Sequence, residues 1–167
     1  GRAPKPGSIL LNDETLRDGL QSPSVRAPSI AQKLRILHLL DRIGIDTADI
    51  GLPGAGPHVV RDVERLAREI VDCRLRVQAN CAARTVVADI EPIAEIVQRT
   101  GLPIECCCFI GSSPIRRYAE DWTVEHLQRC TEEAVGFAVR QGLKVMYVTE
   151  DTTRSDPETL RRLFCAA

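Results

Sequence analysis

The segment SILLNDETLRDGLQ, residues 8–21, decides how the rest of the chain is interpreted. Its first five residues form a short apolar run that predicts a strand over 8–12, and a long polar connection follows over 13–28. No GxGxxG turn follows this strand, where a dinucleotide-binding fold needs one to approach a phosphate closely. The segment therefore favours a parallel α/β architecture other than a dinucleotide-binding fold.

Downstream of this segment, short β-rich runs alternate with longer stretches of helical period, which is the pattern of βα units around a parallel sheet. We predict five parallel strands in sequential order, with the helices on the outer face. The four further strands are predicted at 47–51, 75–80, 104–109 and 144–148. The helices are predicted at 29–43, around 63–70, around 90–97, at 123–140 and from 158 onward.

Capping residues support these helix boundaries. Ser29 is a candidate N-cap of the first helix, and Gly44 is placed to end it. Thr123 and His126 bracket the first turn of the fourth helix, and Gly142 closes it. Pro157 stands where the first turn of a last helix tolerates proline.

Composition narrows the classes of function. Of the 167 residues 44% are hydrophobic but only 4% are aromatic, and the net charge is −1, so we expect an aliphatic core and no basic surface for nucleic acid or an anionic membrane. A small-molecule partner is expected instead. No apolar run is long enough for a membrane span, and GRAPKPG at 1–7 lacks a secretory pattern, which predicts a cytoplasmic protein.

Seven cysteines include three in a row at 106–108. Consecutive cysteines on one strand cannot reach each other for ordinary disulfides, and their spacing does not match paired CxxC zinc ligands. We predict that they are small buried side chains in a reducing compartment.

Right-handed crossovers place every strand-to-helix loop on one face of a parallel sheet. Barrels and open α/β sheets carry their sites there. The loops predicted to converge on this rim are 13–28, 52–57, 81–85, 111–122 and 149–156.

Residues 13–21, DETLRDGLQ, match the signature D-x-T-L-R-D-G-x-Q, and three weaker motifs follow in order at strand ends: DIGLP at 49–53, FIGSSPI at 109–115 and TEDTTR at 149–154. On these motifs the chain resembles, over nearly its whole length, the family of 2-isopropylmalate, homocitrate and citramalate synthases and hydroxymethylglutaryl-CoA lyase. The resemblance implies about five of the eight parallel βα units of a TIM barrel. Residues 1–167 would then be the N-terminal part of one catalytic domain.

The resemblance also implies a chemistry. In this family a divalent metal, Mg²⁺, Mn²⁺ or Zn²⁺, polarises the carbonyl of a 2-oxo acid for attack by the enolate of acetyl-CoA. Asp18 is implied as a metal ligand and Arg17 as the cation at the developing oxyanion, with Gln21 orienting the pair. Glu150 is implied to hold the 2-oxo acid or a catalytic water. Outside such a motif, an Arg-Asp pair is more often a surface contact.

Five further polar residues at predicted strand ends are candidate substrate contacts. Each has a structural alternative: the side chains after the second and third strands could only pack, and the Gly-Ser turn after the fourth could cradle an anion or be a simple turn. These candidates are Asp49, Asn80, Arg84, Ser112 and Ser113.

The motifs disagree on the direction of the reaction. Glu150 is typical of the condensing synthases, whereas Leu20 is typical of the lyase branch. We therefore keep three hypotheses: a synthase that transfers an acyl group from acetyl-CoA to a 2-oxo acid, a hydroxy-acyl-CoA lyase, and a non-catalytic half-barrel.

The family's His-x-His metal pair follows a later strand, and the three histidines here, His38, His58 and His126, are isolated. They are expected on helix surfaces, with His58 nearest the rim. A barrel of this kind closes with eight strands, so five would leave two unpaired edges and an exposed aliphatic interior. We expect the 167 residues alone to be inactive, and to form a homo-oligomer or belong to a longer enzyme.

Overall fold

Five segments form one parallel sheet in the computed structural model of the protein, which describes residues 9–167. The strand order is β1-β2-β3-β4-β5, and every neighbouring pair is parallel. The sheet curls into a partial barrel, which confirms the predicted fold class. The strands are β1 Asn12–Asp13, β2 Thr47–Asp49, β3 Gln78–Arg84, β4 Ile104–Gly111 and β5 Val145–Glu150.

Helices connect the strands and pack on the outer, convex side of the sheet. Short 3₁₀ turns at Asp18–Gln21, Pro53–Ala55 and Thr152–Arg154 lie in three of the strand-to-helix loops. Within residues 9–167, no helix combines the length and the apolar character that a membrane span requires. The helices are α1 Ile30–Ile43, α2 Pro57–Cys73, α3 Val87–Thr100, α4 Pro114–Glu120, α5 Val124–Arg140 and α6 Pro157–Ala166.

The predicted caps are confirmed. The Ser29 side chain accepts a hydrogen bond from the Gln32 backbone N–H, and the Gln32 side chain accepts one from the Ser29 backbone, which completes a capping box. Gly44 ends α1 at φ +86°, in the left-handed region that favours glycine. The Thr123 side chain likewise accepts from the His126 N–H at the start of α5.

The predicted end of the third strand and the predicted loop after the fourth strand were wrong. The third strand was placed at 75–80 with a loop at 81–85, but β3 runs from Gln78 to Arg84, so Asn80 lies inside the strand. Its small Ala and Cys side chains have weak strand propensity, but hydrogen bonding to β2 and β4 on both sides outweighs that preference. The loop predicted at 111–122 contains α4, with Ser113 as its N-cap and Pro114 in its first turn.

The first strand is shorter than predicted. Of the range 8–12, residue 8 lies outside the described part of the chain, and only Asn12 and Asp13 pair with β2. Ile9 and Leu10 are exposed, whereas the Leu11 carbonyl accepts from the Asp46 and Thr47 N–H groups. β1 therefore ends the sheet with a minimal ladder.

The two faces of the sheet differ in chemistry. Along β4 the outward residues Ile104, Cys106, Cys108 and Ile110 are buried under helices, while the alternate residues are half-buried on the concave side. The expected aliphatic interior was wrong for β1 to β3, where this concave face is polar. Its alternating positions on those strands are Asn12, Thr47, Asp49, Gln78, Asn80 and Arg84, with Ala82 as the apolar exception. The concave positions of β4 and β5 include Glu105, Cys107, Phe109, Met146 and Val148.

Candidate active site

The loop after β1 is folded by its own side chains. The Asp13 carboxylate accepts from the Thr15 N–H at 2.9 Å and from the Thr15 hydroxyl at 3.0 Å, and the Gly19 N–H donates to the Glu14 carbonyl at 2.9 Å. Leu16 is buried in the core, which anchors the loop to the body of the protein. These contacts hold the next residue, Arg17, over the carboxyl end of β2.

Arg17 faces three carboxylates. Its Nε donates to the Asp49 Oδ2 at 3.1 Å, one Nη to the Glu14 Oε2 at 2.8 Å and the other to the Asp18 Oδ1 at 3.3 Å. Burial lowers the pKa of Arg17, but the charges of Asp49, Glu14 and Asp18 outweigh it and leave the pKa above its ordinary value. One cation among three carboxylates leaves a local excess of negative charge, which suits a further cation.

Asp49 is only 1% exposed, and such deep burial is unusual for a carboxylate. Burial raises its pKa from 3.8 to about 6, although the Gly51 N–H bond to its Oδ1 at 3.0 Å and the charge of Arg17 act in the opposite direction. This candidate substrate residue therefore contacts Arg17 directly and links the first two strands.

A hydrogen-bond chain connects Arg17 to the centre of the sheet through two residues that sequence reasoning missed, Asn12 and Glu14. The Asn12 amide donates to the Glu14 Oε1 at 2.8 Å, and its Oδ1 accepts from the Thr47 hydroxyl and the Asn80 amide, both at 2.7 Å. Asn12 ends the first predicted strand and Glu14 follows two residues later, a polar pair at the rim that could have indicated this role.

One side-chain oxygen of Asn80 is left without a hydrogen-bond partner in the described part of the chain. The residue is 2% exposed, and the atom is its Oδ1. A buried polar atom without a partner costs free energy unless a ligand or water meets it. The atom belongs to a concave-face side chain next to Asn12, and because it is buried a ligand or a water could reach it only if the covering side chains move.

Asp18 and Gln21 lie in the 3₁₀ turn at the rim. The Asp18 side chain is 63% exposed and meets Arg17 through one oxygen. Gln21 is exposed, and within residues 9–167 no hydrogen bond joins it to Arg17 or Asp18. The structure therefore brings Arg17 and Asp18 together, but not Gln21.

Arg84 ends β3, and its guanidinium contacts the first turn of α3. Its Nε and one Nη donate to the two oxygens of Asp89 at 2.7 and 2.8 Å, and its backbone N–H also donates to Asp89. Asp89 is buried, and a side chain at Gly54 would overlap its carboxylate, so that glycine permits the close approach of the loop after β2.

The side chains of the predicted anion cradle form internal hydrogen bonds, while the cradle itself was predicted from backbone N–H groups and stays a prediction. The Ser112 hydroxyl is hydrogen-bonded to the Ser155 hydroxyl at 2.7 Å, and the Ser113 hydroxyl accepts from the Arg116 N–H at 3.2 Å as the N-cap of α4. Both serines are buried. Glu150, at the end of β5 and opposite Gly111, is exposed at the rim.

Metal ligands are sparse at this rim. Among the described residues, the group of at least three His, Cys, Asp or Glu side chains with ligand atoms close together is His38, Glu69 and Cys73, on the outer helices. The rim itself offers Asp18 as an exposed hard oxygen ligand, which is an incomplete set for a divalent ion. His58, the second residue of α2, is exposed.

Comparison with known proteins shows the family of the chain. The family model described as HMGL-like matches residues 8–167. The chain is 31% identical to the homocitrate synthase AksA of Methanosarcina mazei over 96% of its length and 37% of that protein. It is 34% identical to a putative (R)-citramalate synthase CimA of Methanopyrus kandleri over 98% of its length and 30% of that protein.

A 2-isopropylmalate synthase of Lactococcus lactis subsp. cremoris is 31% identical over 89% of this chain and 28% of its own length. A solved structure described as the crystal structure of SacUVDE covers 95% of this chain and 77% of its own at 8% identity, and its TM-score of 0.41 is too low to carry an argument. The chain spans about a third of the length of the curated relatives named above. With residues 8–167 matched and the motif residues gathered at one rim, the chain belongs to the HMGL-like family.

Proposed function

We propose that this chain is the N-terminal part of a TIM-barrel catalytic domain that condenses acetyl-CoA with a 2-oxo acid in a metal-dependent reaction. The observation that carries the proposal is the Arg17 guanidinium, held by Asp49, Glu14 and Asp18 at the carboxyl ends of β1 and β2. Three curated relatives are named as synthases of homocitrate, citramalate and 2-isopropylmalate.

Arg17 has donors to spare for a substrate. A guanidinium carries five N–H groups in a planar fork, and three of them are engaged here, so two are left. Asp49 and Glu14 fix the plane of the fork. The remaining N–H groups can donate to the oxyanion that forms as the 2-oxo acid carbonyl is attacked, which is a contact that strengthens in the transition state.

Asp18 is proposed as one ligand of the divalent metal. Its exposed carboxylate suits Mg²⁺ or Mn²⁺ and is acceptable to Zn²⁺, and the excess of negative charge around Arg17 favours a cation nearby. When bound, the metal supplies a Lewis acid that polarises the 2-oxo acid carbonyl. The other ligands would come from the substrate and from segments outside this chain.

The remaining rim and concave-face residues are proposed to bind the substrates. The Oδ1 of Asn80 would accept a hydrogen bond from substrate or water once the side chains that cover it move aside, and Glu150 is open to solvent at the same rim. Gln21 and Arg84 are exposed enough to reach a ligand, whereas Ser112 and Ser113 would act through the turn that they stabilise. In the closed barrel the edges of β1 and β5 would pair with the remaining strands, and the homo-oligomer expected from the sequence is kept as part of the proposal.

The test uses the full-length product of the gene. CoA thiol release is measured with acetyl-CoA and a panel of 2-oxo acids, with and without a chelator, and the cleavage of a 3-hydroxy-3-methylglutaryl thioester is measured in parallel. We expect metal-dependent thiol release with one 2-oxo acid. Thioester cleavage instead would support the lyase, which Leu20 favours, and failure of both reactions would support a non-catalytic barrel.

Variants assign the roles within the same assay. Arg17→Lys should keep substrate binding but slow turnover by about 10²- to 10³-fold, because an ammonium cannot reproduce the fork. Asp18→Asn should raise the metal concentration needed for half activity. Asp72→Asn, on the exposed end of α2, is the matched control and should change neither value. Full activity in Arg17→Lys would make Arg17 structural.

A further inference from the structure

A second group of ligating side chains lies on the outer helices, away from the rim. His38 is on α1, and Glu69 and Cys73 are one turn apart on α2. The His38 Nε2 is 2.8 Å from the Glu69 Oε1, and the Cys73 Sγ is 3.5 Å from the same oxygen. The three ligand atoms all lie within 4.8 Å of one another.

We propose that His38, Glu69 and Cys73 bind Zn²⁺ or a cation of similar softness, with one coordination position left open. A tetrahedral zinc ion with ligand bonds of about 2.0 to 2.3 Å sets its ligand atoms about 3.3 to 3.6 Å apart. The thiol-to-carboxylate distance already has this value. The imidazole-to-carboxylate distance needs to open by about half an ångström, which a small rotation of the half-buried His38 side chain can supply.

A neighbouring arginine orients the carboxylate of the cluster, and the end of a helix lies beside it. The other Glu69 oxygen, Oε2, meets the Arg65 guanidinium at 3.3 Å, which holds the carboxylate with Oε1 towards the cluster. Cys73 is the last residue of α2, where the helix dipole is negative. Upon binding, the cysteine S–H bond breaks, a sulfur–zinc bond forms, and the proton leaves to solvent.

A simple ion pair between His38 and Glu69 is the structural alternative. Such a pair needs no thiol, whereas here a thiol donates to the same carboxylate oxygen. The chain offers an internal control in α5, where the Cys130 Sγ and the His126 Nε2 are 3.4 Å apart but no third ligand joins them in the described residues. Two ligands bind a metal far more weakly than three.

The experiment is a Co²⁺ titration of the reduced, chelator-treated chain, followed by competition with Zn²⁺. We expect one equivalent to produce the thiolate-to-cobalt charge-transfer absorption and the visible bands of a tetrahedral site. Changing a residue that only supports metal ligands typically costs 10- to 100-fold in affinity, so losing a ligand in Cys73→Ser or His38→Ala should cost at least about 100-fold. Cys130→Ser and Cys165→Ser should bind like the unchanged chain.

Charge-transfer absorption requires a sulfur ligand, so oxygen ligands at the rim cannot imitate it, and Asp18→Asn should leave it unchanged. The proposal is therefore tested independently of the proposed function. Absence of the band, its persistence in Cys73→Ser, or an equal loss in Cys130→Ser would overturn it. Should Cys73→Ser fail to fold by circular dichroism, unchanged affinity in His38→Ala would overturn it as well.

Discussion

The two faces of the sheet are formed by the same strands but carry different kinds of side chain. Within β4, Cys106 and Cys108 point to the helices and are fully buried, while Cys107 between them lies half-buried on the concave face. On the convex face a side chain contributes by filling the space between the sheet and the helices. On the concave face its hydrogen-bonding groups and charge are what a bound molecule would meet.

The convex face is the source of stability. Small strand residues such as Ala79 and Ala83 leave room for large aliphatic side chains of α2 and α3, including Leu66 and Ile93, which are fully buried. The concave face carries the chain of hydrogen bonds that ends at Arg17, and it contains a buried carboxylate, Asp49, with a raised pKa. The sheet therefore separates the close-packed apolar core on its convex side from the polar and charged side chains on its concave side.

The largest difference between the two faces is expected in the stability that is lost when an apolar side chain is truncated. Leu66→Ala, on the convex side, should lower the free energy of unfolding by about 2 to 5 kcal/mol because it leaves a cavity in a close-packed core. Met146→Ala, on the concave side and 43% exposed, should cost less than about 1 kcal/mol. Urea denaturation measures both, and equal losses would contradict the separation of the two faces.

Asp49 should make stability depend on pH in a direction opposite to most carboxylates. Its pKa rises from 3.8 to about 6 on folding, so the folded state holds the proton more tightly than the unfolded chain does. This contribution is complete below about pH 4 and is lost as the pH rises through about 6, with an upper bound of about 3 kcal/mol at about 1.4 kcal/mol per pKa unit.

The difference in unfolding free energy between the unchanged chain and Asp49→Asn isolates this contribution, since other carboxylates titrate in both proteins. Between pH 4 and pH 6 the unchanged chain should lose stability relative to the variant. A difference that stays constant over this range would show that Asp49 titrates normally, and Asp72→Asn, on an exposed residue of α2, is the control.

Asn12 should contribute more to the free energy of unfolding than its exposed position suggests. Asn12→Ala removes the acceptor of the buried Asn80 amide, which leaves that group without a protein partner and should cost about 1 to 3 kcal/mol. Gln98→Ala removes an exposed amide on α3 and should change stability by less than about 0.5 kcal/mol. Denaturant midpoints compare the two variants, and a neutral Asn12→Ala would mean that the chain of hydrogen bonds is replaced by water.

The smallest effect concerns thiol reactivity on one strand. Burial, with the nearby charge of Asp49, raises the pKa of Cys107 to about 12, so it should alkylate slowly. Cys106 and Cys108 should still be slower, because they are closed off by helices, and the exposed Cys73 and Cys165 should react first. Mass spectrometry of timed alkylation gives the order, and equal rates along 106–108 would indicate that the convex face opens readily.

Much of the fold was predictable because its signals are local. The apolar period of α1, its Ser29 cap and its Gly44 end lie within one short segment, and each was found where predicted. The extent of β3 was not predictable, since its weak strand formers are held by ladders to two neighbours that are distant in sequence. α4 was missed although Ser113 and Pro114 mark its start, because its short span read as part of a loop.

By itself, then, the sequence determined the alternation of strands and helices, the helix caps and the motif at 13–21, since periodicity and capping depend on residues a few positions apart. The tertiary structure decided which side chains meet: Asn12 with Asn80, Arg17 with Asp49, and His38 with Glu69, all about 30 or more positions apart. These contacts are determined by strand register and by helix packing. Neither is encoded by a single segment, because each depends on how two segments distant in sequence pack against each other.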